Sequence, residues 1–549
     1  MVIEMKSPRI FTDLEPFSNL KELVNISAQR HGEANAFCFE RKKELVNISY
    51  IKFKDNVEAL STYIYSLGFA NSKLAVIGEN SYEWIVSYLA TVTSGNIIVP
   101  LDRDLSADVA ATLLADSAAE VLFFSDSYSD MLEILQNKCK QIKHFIPFSS
   151  LTELMEKGRA LILEGKRDAI DITIDDNSMS TLMYTSGTTG TLKGVMLSHK
   201  NLSSNTVSCR HYVKVRGHSM LVLPLHHSFG FTTCVLYYLY TGSTLCINSS
   251  LKRIKDDFLK FKPYNVFMVP LIVESVYKRI WTSAEESGKD KQLKSMIKLS
   301  NGFRKIGIDL RRVLFKSVIA QFGGNFEYII TGGAPIDDIY IKGLCDIGIE
   351  TVNGYGITEC SPVVSVNRLG NNRIGSAGEV YTCCQVKIID ADEDGFGEIL
   401  VKGDNVMLGY YGNQQLTDET LIDGWFRTGD IGYLDNDNFI YITGRKKSMI
   451  VLSNGKNVYP EDIEVQMLRE IPYITEVIVR QQDNQLIAEM YLESLANPDL
   501  SQENRQDILD DLAEDIRQLN AKLTSYKRIS DIVIRETEFD KTTTKKIKR

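Results

Sequence analysis

Thr181-Leu182-Met183-Tyr184-Thr185-Ser186-Gly187-Thr188-Thr189-Gly190-Thr191-Leu192-Lys193-Gly194 begins as an apolar strand and runs directly into a turn. From Tyr184 to Gly194 the turn holds three glycines, five Ser/Thr hydroxyls and one lysine. Gly187 and Gly190 allow close approach of backbone to a phosphate, whose oxygens N–H groups and the hydroxyls of Thr185, Ser186, Thr188 and Thr189 can then meet. Lys193 adds a point charge. The Gly–Gly-Lys spacing does not fit the Walker loop. A plain Gly/Ser/Thr surface loop is the bland alternative, but such density immediately after a strand favours a phosphate cradle.

Outward from this turn, strand and helix signals alternate. Leu74-Ala75-Val76-Ile77 and Asn96-Ile97-Ile98-Val99-Pro100 suit buried strands, with helical character from Tyr82 to Thr93 between them. A further helical stretch leads to Val121-Leu122-Phe123-Phe124. Met220 to Leu225 and Glu327 to Ile330 are expected strands that end in loops rich in Gly, Pro, His or Ser. Alternation of this kind predicts parallel sheets covered by helices, with ligands at the carboxyl ends of the strands. From about residue 376 the texture becomes short strands and turns, such as Asp392-Glu393-Asp394-Gly395. Beyond Arg445 it changes again. Glu461 to Arg469 is a short helix candidate, Val477–Val479 and Leu486–Leu492 flank a hairpin turn, and Ile508, Leu512, Ile516, Leu519 and Leu523 share a helical face. These shifts predict an α/β body to residue 445, β-rich from about 376, and a small α+β domain over 446–549.

Composition bounds the function. The 549 residues are 44% apolar and 24% charged, with a net charge of −9. That excludes a disordered or collagen-like chain and gives no global field toward nucleic acid. Nine scattered cysteines show no zinc spacing and are expected to be free thiols. There is no apolar run long enough for an integral membrane segment and no signal-peptide pattern, so a cytoplasmic protein is expected.

YTSGTTGTLKG at 184–194 resembles the nucleotide-binding signature of the adenylate-forming superfamily, which includes acyl-CoA synthetases, luciferases and peptide-synthetase adenylation domains. Four further stretches match in order: Gly354-Tyr355-Gly356-Ile357-Thr358-Glu359, Gly424-Trp425-Phe426-Arg427-Thr428-Gly429-Asp430, Gly444-Arg445-Lys446-Lys447, and Lys541 to Arg549. The last is similar to the ending of the long-chain acyl-CoA synthetase branch. The resemblance spans nearly the whole chain. It implies an α/β fold with a large multi-subdomain body and a small mobile C-terminal domain. The implied activity is an ATP-dependent, AMP-forming ligase that makes an acyl-adenylate and passes the acyl group to coenzyme A.

Residue roles follow from the same resemblance. Thr185, Ser186, Thr188, Thr189 and Lys193 would hold the β- and γ-phosphates, and Thr358 the α-phosphate. Glu359 would bind Mg²⁺, a hard cation suited to carboxylate oxygen. Asn353, Gly354 and Tyr355 would wall the adenine, while Asp430 and Arg445 would hold the ribose. Lys546 would be the catalytic lysine, Lys447 the hinge, and Gly455 the close-approach point of the thiol channel. His226 or His227, with His227 favoured, would sit beside the carboxylate at the mouth of the acyl pocket. No Asp lies between Leu221 and Phe231, which argues against an α-amino acid substrate. Thr331-Gly332-Gly333-Ala334-Pro335 would line an acyl pocket for a medium- or long-chain fatty acid. An acyl carrier protein in place of coenzyme A, and a catalytically silent nucleotide-binding protein, are the competing expectations.

Overall fold

The computed structural model describes residues 14–549 apart from 187–191, 249, 394, 453–455, 484, 497–499, 542–546 and 548–549. The chain forms two compact units. The first comprises residues up to Gly333, Tyr340–Val386 and Val401–Phe426; the second comprises Ala334–Ile339, Lys387–Leu400 and Arg427–Arg549.

The first unit holds two large sheets. The seven-stranded sheet runs in the order Gly409–Tyr410, Leu192–Ser198, Met179–Ser186, Ile97–Pro100, Lys73–Ile77, Val121–Phe124, His144–Pro147. Its last five strands are mutually parallel, as the strand–helix alternation predicts. Met179–Ser186 and Leu192–Ser198 instead pair antiparallel, with Tyr184 opposite Gly194 and Thr185 opposite Lys193. The glycine-rich turn therefore joins the two arms of a hairpin. The expected strand at Met220–Leu225 is shorter than its apolar run: the strand is His218–Leu221.

The nine-stranded sheet runs Glu379–Val380, Val363–Val366, Glu350–Gly356, Tyr328–Gly332, Asn265–Met268, His218–Leu221, Thr244–Ile247, Asn35–Arg41, Glu44–Ser49. Its centre is parallel, from Glu350–Gly356 to Asn35–Arg41. Between the sheets lies the Tyr82–Thr93 helix, capped by Ser81 and buried at every residue but Glu83. Its Tyr88 hydroxyl bonds to Thr181 of one sheet. Its Trp84 ring sits 5.8 Å from Phe231, which follows a strand of the other. A helix apolar all round needs cover on all sides, and two sheets supply it. Ala75, Val99, Leu114, Leu122 and Leu182 are fully buried along the same layer. Each large aliphatic side chain removed from water contributes about 1.5–3 kcal/mol.

In the second unit, the Trp425–Leu434 strand, from Arg427 onward, pairs antiparallel with Ile440–Arg445. Downstream, the sequence pattern is realised closely. The Pro460–Glu470 helix, the Glu476–Gln482 and Gln485–Tyr491 hairpin and the Gln502–Lys522 helix occupy the anticipated positions, with Ile529–Arg535 as a third, parallel strand. Leu512, Ile516 and Leu519 pack with Ile463, Met467, Leu486 and Met490 into one core.

Candidate active site

Polar loops from both sheets converge at the carboxyl ends of their strands. Asn80 follows the Lys73–Ile77 strand, and its side-chain amide donates to the Leu223 carbonyl (2.8 Å) and accepts from the Leu225 amide (3.0 Å). These two hydrogen bonds occupy backbone groups of Leu223 and Leu225, and Pro224 between them has no N–H, so the His218–Leu221 strand does not extend through this segment. The released segment carries His226 and His227, their rings 4.2 Å apart. His226 Nε2 lies 3.4 Å from Asp102 Oδ1, beyond the Ile97–Pro100 strand. Burial, then the neighbouring His227 and Arg103, push the His226 pKa well below the ordinary histidine value, so the ring is neutral at pH 7.

One residue on, Ser228 Oγ is 3.1 Å from Thr358 Oγ1. Thr358 and Glu359 form a short turn after the Glu350–Gly356 strand. Glu359 is buried, with 8% of its surface exposed. Its carboxylate accepts a 2.8 Å bond from the Tyr410 hydroxyl, and its carbonyl accepts from the Met407 amide. The Lys193 ammonium lies 5.3 Å from the centre of the Tyr410 ring. Gly409–Tyr410 pairs with Val195 and Met196 beside the hairpin, and this pairing brings the lysine and the acid to opposite parts of one tyrosine. Tyr410 carries no motif signal in the sequence; it is a two-residue strand in a turn-rich stretch.

Asn353 and Gly354 lie on the Glu350–Gly356 strand opposite Thr331 and Gly332. Asn353 Oδ1 and Thr331 Oγ1 are buried without hydrogen-bond partners among the described residues, an arrangement costly unless a ligand or water completes it. Gly332 is tight: a Cβ there would meet the Gly354 carbonyl oxygen at 2.9 Å. Gly333 has φ +89, so a side chain at this position would be strained even though a Cβ there would only touch the Phe229 ring, at 4.0 Å. Tyr355 is half-buried on the same strand.

The second unit brings Asp430 and Arg445 together. They are cross-strand partners, with Arg445 Nε 2.7 Å from Asp430 Oδ1. The Asp430 amide donates to Thr428 Oγ1, which itself donates to the Ile399 carbonyl. Glu398 receives both Arg427 and Lys446 (2.8 Å). Burial would raise the Glu398 pKa, but these two cations outweigh it and hold the carboxyl below the usual range. Lys446 is also held by its amide to the Gly429 carbonyl, while Lys447 is exposed in the turn that follows. Ala334 belongs to this unit. Gly187, Thr188, Thr189, Gly190, Gly455 and Lys546 lie outside the described residues, as does the Ser186 side chain.

The AMP-binding enzyme family matches residues 24–411, and the AMP-binding enzyme C-terminal domain matches 447–549. A long-chain-fatty-acid–CoA ligase of Mycobacterium bovis, FadD15, is 30% identical over 449 residues, covering 77% of this chain and 74% of that protein. The chloroplastic long-chain-fatty-acid–[acyl-carrier-protein] ligase AEE15 of Arabidopsis thaliana is 25% identical over 537 residues, covering 83% and 74%. The O-succinylbenzoate coenzyme A synthetase of Bacillus subtilis, solved with ATP and magnesium ion, superposes with a TM-score of 0.72 at 21% identity, covering 96% of this chain and 98% of that one. That likeness speaks to the fold alone. Two sheets meeting at polar strand ends, a hydroxyl-rich hairpin turn and family matches over most of the length lead to one conclusion: the chain belongs to the AMP-binding enzyme family and has the adenylate-forming fold.

Proposed function

We propose that the protein activates a fatty acid of medium or long chain with ATP and transfers the acyl group to coenzyme A. In the first step a carboxylate oxygen attacks the α-phosphorus of ATP, the bond to the β-phosphate oxygen breaks, and pyrophosphate leaves. In the second the thiol of coenzyme A gives up its proton, its sulfur attacks the acyl carbon, and AMP departs. Such chemistry depends on positioning and on neutralising charge more than on a protein nucleophile. The observation that carries this reading is the convergence at Thr358 and Glu359. Ser228 fixes the threonine hydroxyl, and Tyr410 links the buried carboxylate to Lys193 of the hairpin.

On this reading Thr185, Ser186, Thr188, Thr189 and Lys193 hold the β- and γ-phosphates, with Gly187 and Gly190 admitting them, and Thr358 holds the α-phosphate. The orphaned Asn353 Oδ1 accepts from the adenine amine, with Gly354 and Tyr355 completing that wall. Asp430, oriented by Arg445, takes the ribose hydroxyls. Glu359 suits Mg²⁺. The described residues hold no cluster of three metal-binding side chains, so the triphosphate and water would supply the other oxygens. The ion, when bound, would offset charge on the phosphates. His226, held neutral by burial, and His227 adjoin the carboxylate, and Thr331, Gly332, Gly333 and Ala334 leave room for the chain. Lys546 stabilises charge during adenylation, Lys447 is the hinge between a 1–445 body and a 446–549 domain, and Gly455 lines the thiol channel.

Pyrophosphate release across acids from acetate to long chains, with and without coenzyme A, tests the reading; no release with any acid would refute it. A second reading, delivery to the thiol of a carrier protein, is favoured by the name of the AEE15 relative. Comparing turnover on free coenzyme A and on a holo-carrier protein separates the two.

A further inference from the structure

The Asp290–Arg304 helix and the segment after it form a surface unlike the rest of the chain. From Lys289 to Lys316 there are nine Lys/Arg against two Asp, in a chain whose net charge is −9. Four aliphatic side chains in the same stretch are exposed: Leu299 at 53%, Ile306 at 69%, Ile308 at 44% and Val313 at 73%. Single exposed aliphatics are ordinary, but four within fifteen residues are not. On the helix, Leu293 and Ser300 face inward. Lys291, Lys294 and Lys298 follow at helical spacing on the outer face, with Leu299 at its edge. The helix ends in a turn at Gly307, φ +83, that leaves six consecutive residues, 304–309, exposed. Arg304, Arg311 and Arg312 are committed to Asp346, Asp309, Glu350 and Glu327. Lys291, Lys298, Lys305 and Lys316 have no ion pair among the described residues.

We infer that this face is a docking surface for an anionic lipid bilayer. Lysines without internal partners and protruding aliphatic side chains are complementary to a layer that presents negative headgroups over hydrocarbon. Each cation near such a surface strengthens the attraction, and inserted apolar groups add to it. A nucleic acid would match the charge but leave Leu299, Ile306, Ile308 and Val313 without a counterpart, and no exposed aromatic residue accompanies them for base stacking. The inference is independent of the proposed reaction, and its test needs neither ATP nor an acid.

The full-length protein is to be sedimented with vesicles of phosphatidylcholine alone and of phosphatidylcholine with phosphatidylglycerol, at low and high salt. Binding is expected only with the anionic vesicles and is expected to weaken with salt. The triple variants Ile306→Ser/Ile308→Ser/Val313→Ser and Lys291→Glu/Lys298→Glu/Lys305→Glu should each reduce partitioning by about tenfold or more. Circular dichroism checks that both remain folded. Should the apolar triple unfold, Ile306→Trp in the otherwise intact chain gives a second reading: its emission shifts to the blue on adding anionic vesicles. The inference is overturned by absence of binding to anionic vesicles, by a triple variant that binds as well as the parent, or by an unshifted Ile306→Trp. Sensitivity to the charge triple alone would also overturn it, marking the face as a site for any polyanion.

Discussion

The Tyr410 hydroxyl donates a 2.8 Å hydrogen bond to the buried Glu359 carboxylate while its ring lies beneath the Lys193 ammonium. One side chain thus touches both the proposed Mg²⁺ ligand and the lysine proposed for the phosphates. Tyr410→Phe removes the hydroxyl and keeps the ring. Depriving a buried carboxylate of a donor should cost about 1–3 kcal/mol of stability. Thermal unfolding should show it, and the KM for ATP should rise with little change in the KM for acid. An unchanged ATP dependence would separate Tyr410 from the nucleotide.

Asp430→Asn keeps the shape of the side chain but loses its charge toward Arg445. The pair is partly open to water, since the Arg445 side chain is 43% exposed, so the stability change should stay within about 1 kcal/mol. The expected loss is in ATP affinity, read by isothermal titration. ATP binding equal to that of the parent would remove Asp430 from the ribose site.

Lys546→Ala should nearly abolish pyrophosphate release yet spare thioester formation from a supplied acyl-adenylate. Lys447→Pro, by fixing φ at the proposed hinge, should do the reverse and impair thioester formation more. Equal losses in both half-reactions for either variant would contradict its assigned role.

His199 gives a pH prediction. Its Nδ1 accepts the Leu20 amide, and burial pushes its pKa down to about 4. The unfolded chain, near the ordinary value, binds a proton first as pH falls. The neutral ring therefore contributes stability that is fully present above pH ~6.5 and is lost as pH drops toward ~4, about 3 kcal/mol over that window. Urea unfolding at pH 7 and pH 5 should show a loss that is smaller in His199→Gln. His226, also held neutral by burial, adds in the same direction.

Where local pattern and tertiary packing agree, the architecture was legible. Tyr82–Thr93 reads as helix because its apolar residues are continuous, and Lys73–Ile77 and Val121–Phe124 read as strands because both faces are covered. The C-terminal helices and hairpin follow their periodicities for the same reason. The Leu192–Ser198 strand is hidden in the sequence because the glycines extend the apparent turn through Lys193, whereas the lysine already belongs to the returning strand. The apolar run at 220–225 overstates its strand for two reasons: Pro224 has no N–H to give to a ladder, and Asn80, some 140 residues away, takes the backbone groups of Leu223 and Leu225. Tyr410 was invisible for a similar reason. Its importance comes from pairing with Val195, a contact between distant parts of the chain. Thr358, Glu359, Asp430 and Arg445 stand out in the sequence by the motifs around them; only the folded chain shows what holds each one still.

The fastening of Lys446 has a mechanical consequence. Its main chain is tied to Gly429 and its ammonium to Glu398, whereas the next side chain stands in solvent. The amides of Ser448 and Met449 both return to the Arg445 carbonyl. A swivel at the proposed hinge would therefore have to open these two bonds, while the ties of Lys446 hold in place the strand that carries Arg445.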